Sequence, residues 1–259
     1  MRMMKKVLGT VTVLALSVSL LAGCGSTAAS PVSSAASTAA ESTTSSIVPE
    51  TTSAAADENV AAAAQLLNDL TGSYQELWPV ILADEYKQTW LDDCTALVGE
   101  DNAEAAFEKL SSMVTGDVYG EDAVKAYANG GGAYFCGFTN SLATLTFDGE
   151  TSTISGTDKD GNVLFSHTYH YIGMEPVHGL YEFESDDADS GEFTYFFLAP
   201  DTSAETYHIE FRYGSDAEAL SQYDAGEYAY WVASGISTDC DQTMIDNCIE
   251  LFCTENLAG

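Results

Sequence analysis

The sequence predicts an α+β fold that is mainly β, an antiparallel barrel with flanking helices at its N- and C-terminal ends. Apolar residues recur every three or four positions over 58–129, which is the helical period. Short alternating runs separated by turn residues follow over 133–213, as expected for antiparallel strands. The helical period returns at 239–256. Six or seven successive strands at this spacing are typical of a small barrel, and strands and helices can share one core of about 200 residues.

Residues 1–23 resemble a bacterial lipoprotein signal peptide. Three basic residues precede an apolar run at 7–22, and Leu-Ala-Gly-Cys at 21–24 has the form of a lipobox. The resemblance implies cleavage before Cys24 and attachment of lipid to this cysteine. The apolar run is too short for a permanent membrane span. We therefore expect a lipid-anchored protein on the outer face of the bacterial cell membrane, with its domain on the extracellular or periplasmic side.

Residues 24–57 contain the lipidated cysteine and a tether made almost entirely of Ser, Thr and Ala with a few Pro. Large apolar side chains, whose burial would offset the entropy of ordering, are too few in this stretch. We expect a disordered linker, followed by one barrel domain at 58–259 whose N-terminal part, 58–132, is helical.

The charge balance excludes one class of partner. The chain has 8 Lys+Arg against 40 Asp+Glu, a formal net charge of −32, and the signal peptide holds three of the basic residues. Such a surface repels nucleic-acid phosphates, so we expect no nucleic-acid partner and membrane contact through the lipid anchor only. The charge is typical of a solvated surface and also attracts cations.

Four apolar stripes within 58–132 predict packed helices. Thr71-Gly72-Ser73 interrupts the first stripe, and Ser73 with Glu76 has the spacing of a helix capping box. Three consecutive glycines at 130–132 predict a joint between the helices and the sheet. The strands predicted beyond that joint are 134–138, 143–147, 152–157, 163–171, 179–184, 192–198 and 205–213.

Five cysteines remain when Cys24 is assigned to lipid, and an odd number leaves at least one thiol unpaired within the chain. Cys240 and Cys248 would be about 12 Å apart along a helix, so they can pair only if that helix starts after Cys240. The disulfide pattern therefore stays open among the five, which are Cys94, Cys136, Cys240, Cys248 and Cys253.

Familiar catalytic signatures are missing from the sequence. It contains no G-x-S-x-G, no H-E-x-x-H and no serine three residues before a lysine. We therefore do not expect an enzyme.

The strand at 205–213 carries the candidate metal ligands. Alternation places His208 and Glu210 on one face, about 6.6 to 7 Å apart along the strand. Either they point into a barrel cavity or they face the outside. His178, just before another strand, is a candidate third ligand, since zinc requires three or four. The predicted metal site is thus His208, Glu210 and His178.

An ordered set of segments resembles the ZinT family. The set comprises Leu-Thr-Gly-Ser-Tyr-Gln-Glu-Leu-Trp-Pro-Val at 70–80, Tyr-Glu-Phe-Glu at 181–184, Tyr-His-Ile at 207–209 and Glu-Tyr-Ala-Tyr-Trp at 227–231. The resemblance runs from about residue 66 to 256. It implies an exported calycin (lipocalin-like) barrel that binds zinc at its mouth and helps to recruit it for a zinc ABC importer.

The family's metal strand has two histidines separated by one residue, whereas this chain has Thr206 and His208. An earlier family histidine falls on Phe197, and the family's His-rich loop is replaced by Ser, Thr and Ala. Two hypotheses follow. The first is a surface-anchored lipoprotein that binds a divalent metal, zinc, for metal recruitment or homeostasis. The alternative is a barrel that binds no metal and takes a small apolar ligand, a cell-wall component or a partner protein.

Overall fold

Eight antiparallel strands close into a barrel in chain order, which confirms the predicted fold class. The computed structural model describes residues 51–199 and 208–258, with side chains from residue 58 onward. Each strand pairs with the next, and β8 returns to pair with β1. The predicted signal peptide and most of the predicted tether lie outside these residues. The strands are β1 Gly72–Glu76, β2 Thr144–Asp148, β3 Thr153–Thr157, β4 Val163–Met174, β5 Tyr181–Ser185, β6 Tyr195–Leu198, β7 His208–Gly214 and β8 Ala233–Ser237.

Helices precede, interrupt and follow the barrel strands. Short 3₁₀ turns at Asp84–Tyr86 and Gly191–Phe193 precede the third α-helix and the sixth strand. None of the helices in the described part of the chain is long and apolar enough to cross a membrane. The α-helices are α1 Thr51–Asp69, α2 Leu77–Ile81, α3 Lys87–Val98, α4 Glu100–Met113, α5 Glu121–Ala128, α6 Ala217–Leu220 and α7 Gln242–Leu257.

Aromatic rings fill the interior of the barrel. Phe183, Phe196 and Tyr213 lie opposite one another on β5, β6 and β7, and each is at most 1% exposed. The ring centroids of Phe196 and Tyr213 are 5.4 Å apart, within the range of favourable aromatic pairs. Burial of rings of this size makes a dominant contribution to core stability. The barrel interior is therefore a packed core.

Helix α1 closes one end of this core. Leu66 and Leu67 on its last turn, and Leu70 directly after it, are buried with the barrel residues. The helix approaches the β2–β3 turn so closely that a Cβ on Gly149 would lie 2.4 Å from the Cα of Asn68. A glycine in this turn is what allows α1 to pack against the barrel.

A second core lies outside the barrel, where α2, α3, α4 and α7 pack together against Ile236 of β8. Trp90 of α3 is fully buried at its centre. Its indole N–H donates to the carbonyl of Ile81 at 2.7 Å, and its ring lies 5.9 Å from that of Phe252 on α7. The helices thus form a second layer on one side of the barrel.

The sequence analysis missed the two strands that close the barrel. The predicted capping box at Ser73 is wrong, because Ser73 lies in β1 and its hydroxyl is 2.8 Å from that of Thr146 on β2. Tyr74 and Trp78 are four residues apart, so this short strand continues a helical spacing. β8 has the sequence Ala-Ser-Gly-Ile-Ser, which has little apolar alternation.

The predicted strand at 134–138 is also wrong. Phe135 forms only isolated bridges, to Thr115 and to Trp231. The segment runs beside the chain that enters β8, where the amide of Ser234 donates to the carbonyl of Cys136 at 3.0 Å. β1 pairs only with residues 235–237 of β8, so the 134–138 segment lies beside the residues before them.

The interface between α3 and α7 contains carboxylates as well as apolar groups. Oδ2 of Asp93 is buried and has no hydrogen-bond partner among the described residues. Burial raises the pKa of Asp93, and the charges of Glu250 and Asp246 on α7 raise it further. The ionised carboxylate therefore opposes the packing of these helices.

We predict that Asp93→Asn stabilises the protein near neutral pH, with a Tm increase of about 1 to 3 °C. Because the folded-state pKa is raised, protonation favours the folded wild type, and its stability deficit shrinks as the pH falls through that pKa. Thermal melts from pH 7 down to about pH 4 should show the two proteins converging. Asp160→Asn, an exposed aspartate in the β3–β4 turn, is the matched control, because its charge does not act on Asp93. A wild-type deficit that is constant with pH would contradict this account.

Candidate functional site

The structure decides which face of β7 points into the barrel. Ile209, Phe211 and Tyr213 belong to the barrel core. His208 and Glu210 therefore lie on the outer face, opposite Ile236 and Ser234 of β8. Both side chains are half-buried there. The predicted ligands of β7 thus lie outside the barrel interior.

Glu210 lies near two buried cysteines. Burial, with a smaller contribution from the charge of Glu210, raises the pKa of Cys136 and that of Cys248 to about 12. These thiols stay protonated at neutral pH, so they are poor metal ligands in this state.

Arg212 is the third outward residue of β7 and is fully buried. Its guanidinium donates to the backbone carbonyls of Leu220, Gln222 and Tyr228. Burial lowers the pKa of Arg212, whereas the charge of Glu175 acts in the opposite direction. One cationic side chain therefore fixes the 215–230 segment across the outer face of the barrel.

Phe197 lies directly opposite Arg212 on β6 and is fully buried. Its apolar ring supplies no metal ligand at the position where the resemblance to the ZinT family implies a histidine.

His178 lies in the β4–β5 loop beside a buried carboxylate. The carboxylate of Glu175 is fully buried and accepts hydrogen bonds from the backbone N–H groups of Val177, at 2.9 Å, and His178, at 2.6 Å. Nδ1 of His178 lies 3.4 Å from Oε2 of Glu175, is buried, and makes no hydrogen bond within the described residues. The imidazole nitrogen therefore lies next to a carboxylate but forms no hydrogen bond with it.

Tyr223 connects these groups. Its ring centroid lies 3.8 Å from that of His178 and 4.2 Å from the guanidinium carbon of Arg212. Burial raises the pKa of Tyr223; Arg212 opposes this increase, and the charges of Glu175 and Glu210 add to it. We call Glu175, His178, Glu210, Arg212 and Tyr223 the Tyr223 cluster.

Of the three predicted metal ligands, His178 thus packs against Tyr223, and Glu210 acts on the same tyrosine through its charge. His208 shares the outer face of β7 with Glu210. Sequence reasoning missed Glu175, Arg212 and Tyr223, because none of them stands in a ligand-like spacing. The one signal was alternation, which places Arg212 on the face of His208 and Glu210.

The donor set does not form a complete metal site in the part of the chain that the structure describes. Over 51–199 and 208–258, no three or more His, Cys, Asp or Glu side chains are arranged to hold a metal ion. The Tyr223 cluster offers one imidazole and two carboxylates, but it also contains a guanidinium cation, which opposes a second positive charge.

The two remaining histidines have structural partners. His167 and His170 on β4 each place Nδ1 2.8 Å from an aspartate, Asp187 and Asp186 respectively. These contacts hold the acidic 185–191 loop against β4. These two contacts explain the position of the loop.

An open groove of about 350 Å³ lies outside the barrel, between α2 and the 114–116 and 135–137 segments. Its walls are mainly apolar, but Glu76 is also part of its lining, and Oε1 of Glu76 accepts from the amide of Phe138 at 2.6 Å. The apolar walls are formed by Trp78, Pro79, Leu82, Val114 and Phe135.

Comparison with known proteins gives likenesses of structure only. No protein-family model and no curated protein matches the sequence. The Zn(II)-bound ZinT-like domain of Streptococcus pneumoniae AdcA matches at 15% identity and a TM-score of 0.44, covering 70% of this chain and 87% of that domain. Zn(II)-bound AdcA from the same organism matches at 14% identity and a TM-score of 0.41, covering 71% of this chain and 34% of AdcA.

This chain thus spans about a third of AdcA.

We predict that Arg212→Leu lowers the free energy of unfolding by about 2 to 4 kcal/mol, because several backbone carbonyls lose a charged donor. Urea unfolding measures this loss. Cleavage by Glu-C protease after Glu218 or Glu227 should become faster, because the 215–230 segment is no longer fixed. Arg212→Lys should fall between the two proteins, since one ammonium cannot reach all of these carbonyls at once. A leucine variant as stable as the wild type would show that Arg212 does not fix the segment.

Proposed function

We propose that this chain is a lipid-anchored protein outside the cytoplasmic membrane whose barrel domain takes up a divalent metal, zinc, as cargo. The ordered sequence resemblance to the ZinT family and the lipobox at 21–24 support this function, as does the closed barrel flanked by helices.

The observation that carries the metal proposal is the state of His178. Its Nδ1 is buried, makes no hydrogen bond to any described residue, and lies 3.4 Å from a fully buried carboxylate. Neutral imidazole nitrogen and carboxylate oxygen are ordinary zinc donors. A buried polar nitrogen without a hydrogen bond is costly. Capture of a metal ion by His178 and Glu175 would remove that cost.

The composition of the Tyr223 cluster favours reversible binding of zinc over tight binding. Two carboxylates and one imidazole make a harder donor set than thiolates, and Arg212 opposes the added positive charge. The acidic surface raises the local concentration of cations around the protein. A site of this kind suits a carrier that releases zinc to a partner, for which a zinc ABC importer is the class that the family resemblance implies.

We predict one zinc ion per chain in isothermal titration of the full chain, with the cysteines kept reduced. His178→Ala should weaken binding at least about tenfold, or about 1.4 kcal/mol, and Glu210→Gln should weaken it as well. His208→Ala tests the ligand that the family resemblance indicates. The matched control is His170→Ala, which removes an imidazole that already has an aspartate partner. No zinc uptake, or equal affinity in the wild type and all four variants, would overturn the metal proposal.

The groove favours a second candidate function. Its walls are apolar and open to solvent, whereas the barrel interior is filled with rings. A barrel that binds no metal would use this groove for a small apolar ligand, a cell-wall component or a partner protein. Absence of zinc uptake, together with quenching of Trp78 fluorescence by an apolar probe, would favour this candidate.

We predict that Cys24 is the site of lipid attachment. A host grown with labelled palmitate should incorporate label into the wild-type chain, and the protein should fractionate with membranes. Cys24→Ala should lose both properties, since the lipobox then lacks its acceptor sulfur. Cys240→Ala is the control, because its sulfur lies in the folded domain. Label that persists in Cys24→Ala would show that the anchor is elsewhere or absent.

A further inference from the structure

Two cysteines that are distant in sequence meet inside the helical layer. The sulfurs of Cys94 on α3 and Cys253 on α7 are 3.9 Å apart although 159 residues separate them. Both residues are fully buried, in the same apolar cluster as Trp90. The sulfurs touch without a covalent bond, and a disulfide would require them to approach to about 2.05 Å.

We propose that Cys94 and Cys253 are joined by a disulfide in the mature protein, which links α3 covalently to the C-terminal helix. This inference is independent of the metal proposal. It singles out one pair among the five cysteines whose pairing the sequence leaves open.

The expected location of the domain supports oxidation of this pair. The lipobox predicts that the folded domain lies outside the cytoplasmic membrane, where disulfides persist. The interface between α3 and α7 also contains the unfavourable Asp93 carboxylate near Glu250 and Asp246. A covalent link between these two helices stabilises a contact that charge repulsion weakens.

The reaction needs an external oxidant of the disulfide class, such as oxidised glutathione or a thiol–disulfide oxidoreductase. One cysteine thiolate attacks the oxidant's disulfide, forms a mixed disulfide and releases one oxidant thiolate. The second cysteine thiolate attacks the protein sulfur of that mixed disulfide and releases the other oxidant thiolate. The Cys94–Cys253 bond forms and the oxidant's disulfide breaks, with both electrons passing to the oxidant and the two cysteine protons to solvent.

Burial determines when this reaction occurs. Burial raises the pKa of both thiols, and the two cysteines are closed to solvent in the folded domain. Attack by a thiolate is therefore slow once α7 has packed. We expect the bond to form while the C-terminal helix is docking, and to resist reductants afterwards for the same reason.

Peptide mapping of the full chain tests the bond directly. The protein is exported by a bacterial host, alkylated without reduction under denaturing conditions, and digested with Glu-C. Cleavage after glutamate gives peptides 86–100 and 251–255, each of which contains a single cysteine of the pair. We expect these two peptides to be recovered as one disulfide-linked species, with Cys136, Cys240 and Cys248 alkylated. Recovery of both peptides in alkylated form, or linked to other cysteines, would overturn the proposal.

Thermal melts of oxidised and reduced protein give a second measurement. The wild type should lose about 5 to 15 °C in Tm on reduction under conditions that unfold and refold it. Cys94→Ser and Cys253→Ser should show no difference between the two redox states, whatever their own stability. Cys248→Ser, a buried cysteine on the same helix, should keep the wild-type difference. A redox-dependent Tm in Cys253→Ser, or its absence in Cys248→Ser, would assign the effect to another pair.

Discussion

The architecture of this protein depends on the mutual packing of aromatic rings from neighbouring strands. Phe183, Phe196 and Tyr213 occupy matching positions on three adjacent strands and fill the space that closure of the barrel creates. Because rings occupy that space, the ionisable side chains His208, Glu210 and Arg212 of β7 are directed outward. The outward row of β7, from His208 to Arg212, illustrates this division.

The residues of the candidate site lie on the outer surface of the barrel. Arg212 fixes a long connecting segment by donating to its carbonyls, and that segment brings Tyr223 against His178. The position of Tyr223 therefore depends on one buried cation whose partners are backbone groups. A helical layer covers another part of the same surface and contains its own apolar core around Trp90. The protein thus has a rigid centre with two separately fixed outer regions.

The strands in the middle of the chain could be predicted from the sequence, because apolar alternation and turn residues agree there. The β2–β3 turn at Asp148 and Gly149 and the long alternating run of β4 are examples. The two strands that close the barrel, β1 and β8, could not be predicted. β1 is five residues long and continues a helical spacing through Tyr74 and Trp78, and β8 is built from small residues whose partners come from distant segments.

The candidate site was predictable in part. Alternation placed His208 and Glu210 on one face, but only the packed barrel shows that this face is the outer one. His178 was found as a histidine near a barrel end. Its carboxylate neighbour, Glu175, is buried by tertiary packing, and a lone glutamate before a proline carries no sequence signal of that kind. The proximity of Cys94 and Cys253 likewise depends on how α7 returns to α3.

Closure of the sheet has a consequence for how copies of this protein behave when crowded together. In the described part of the chain every strand has a neighbour on both sides, so the sheet has no free edge strand of the kind that recruits strands from other molecules. Association by strand addition lacks a template, and the strong negative charge repels neighbouring copies at longer range. The domain can therefore be held at high local density without polymerising through its sheet.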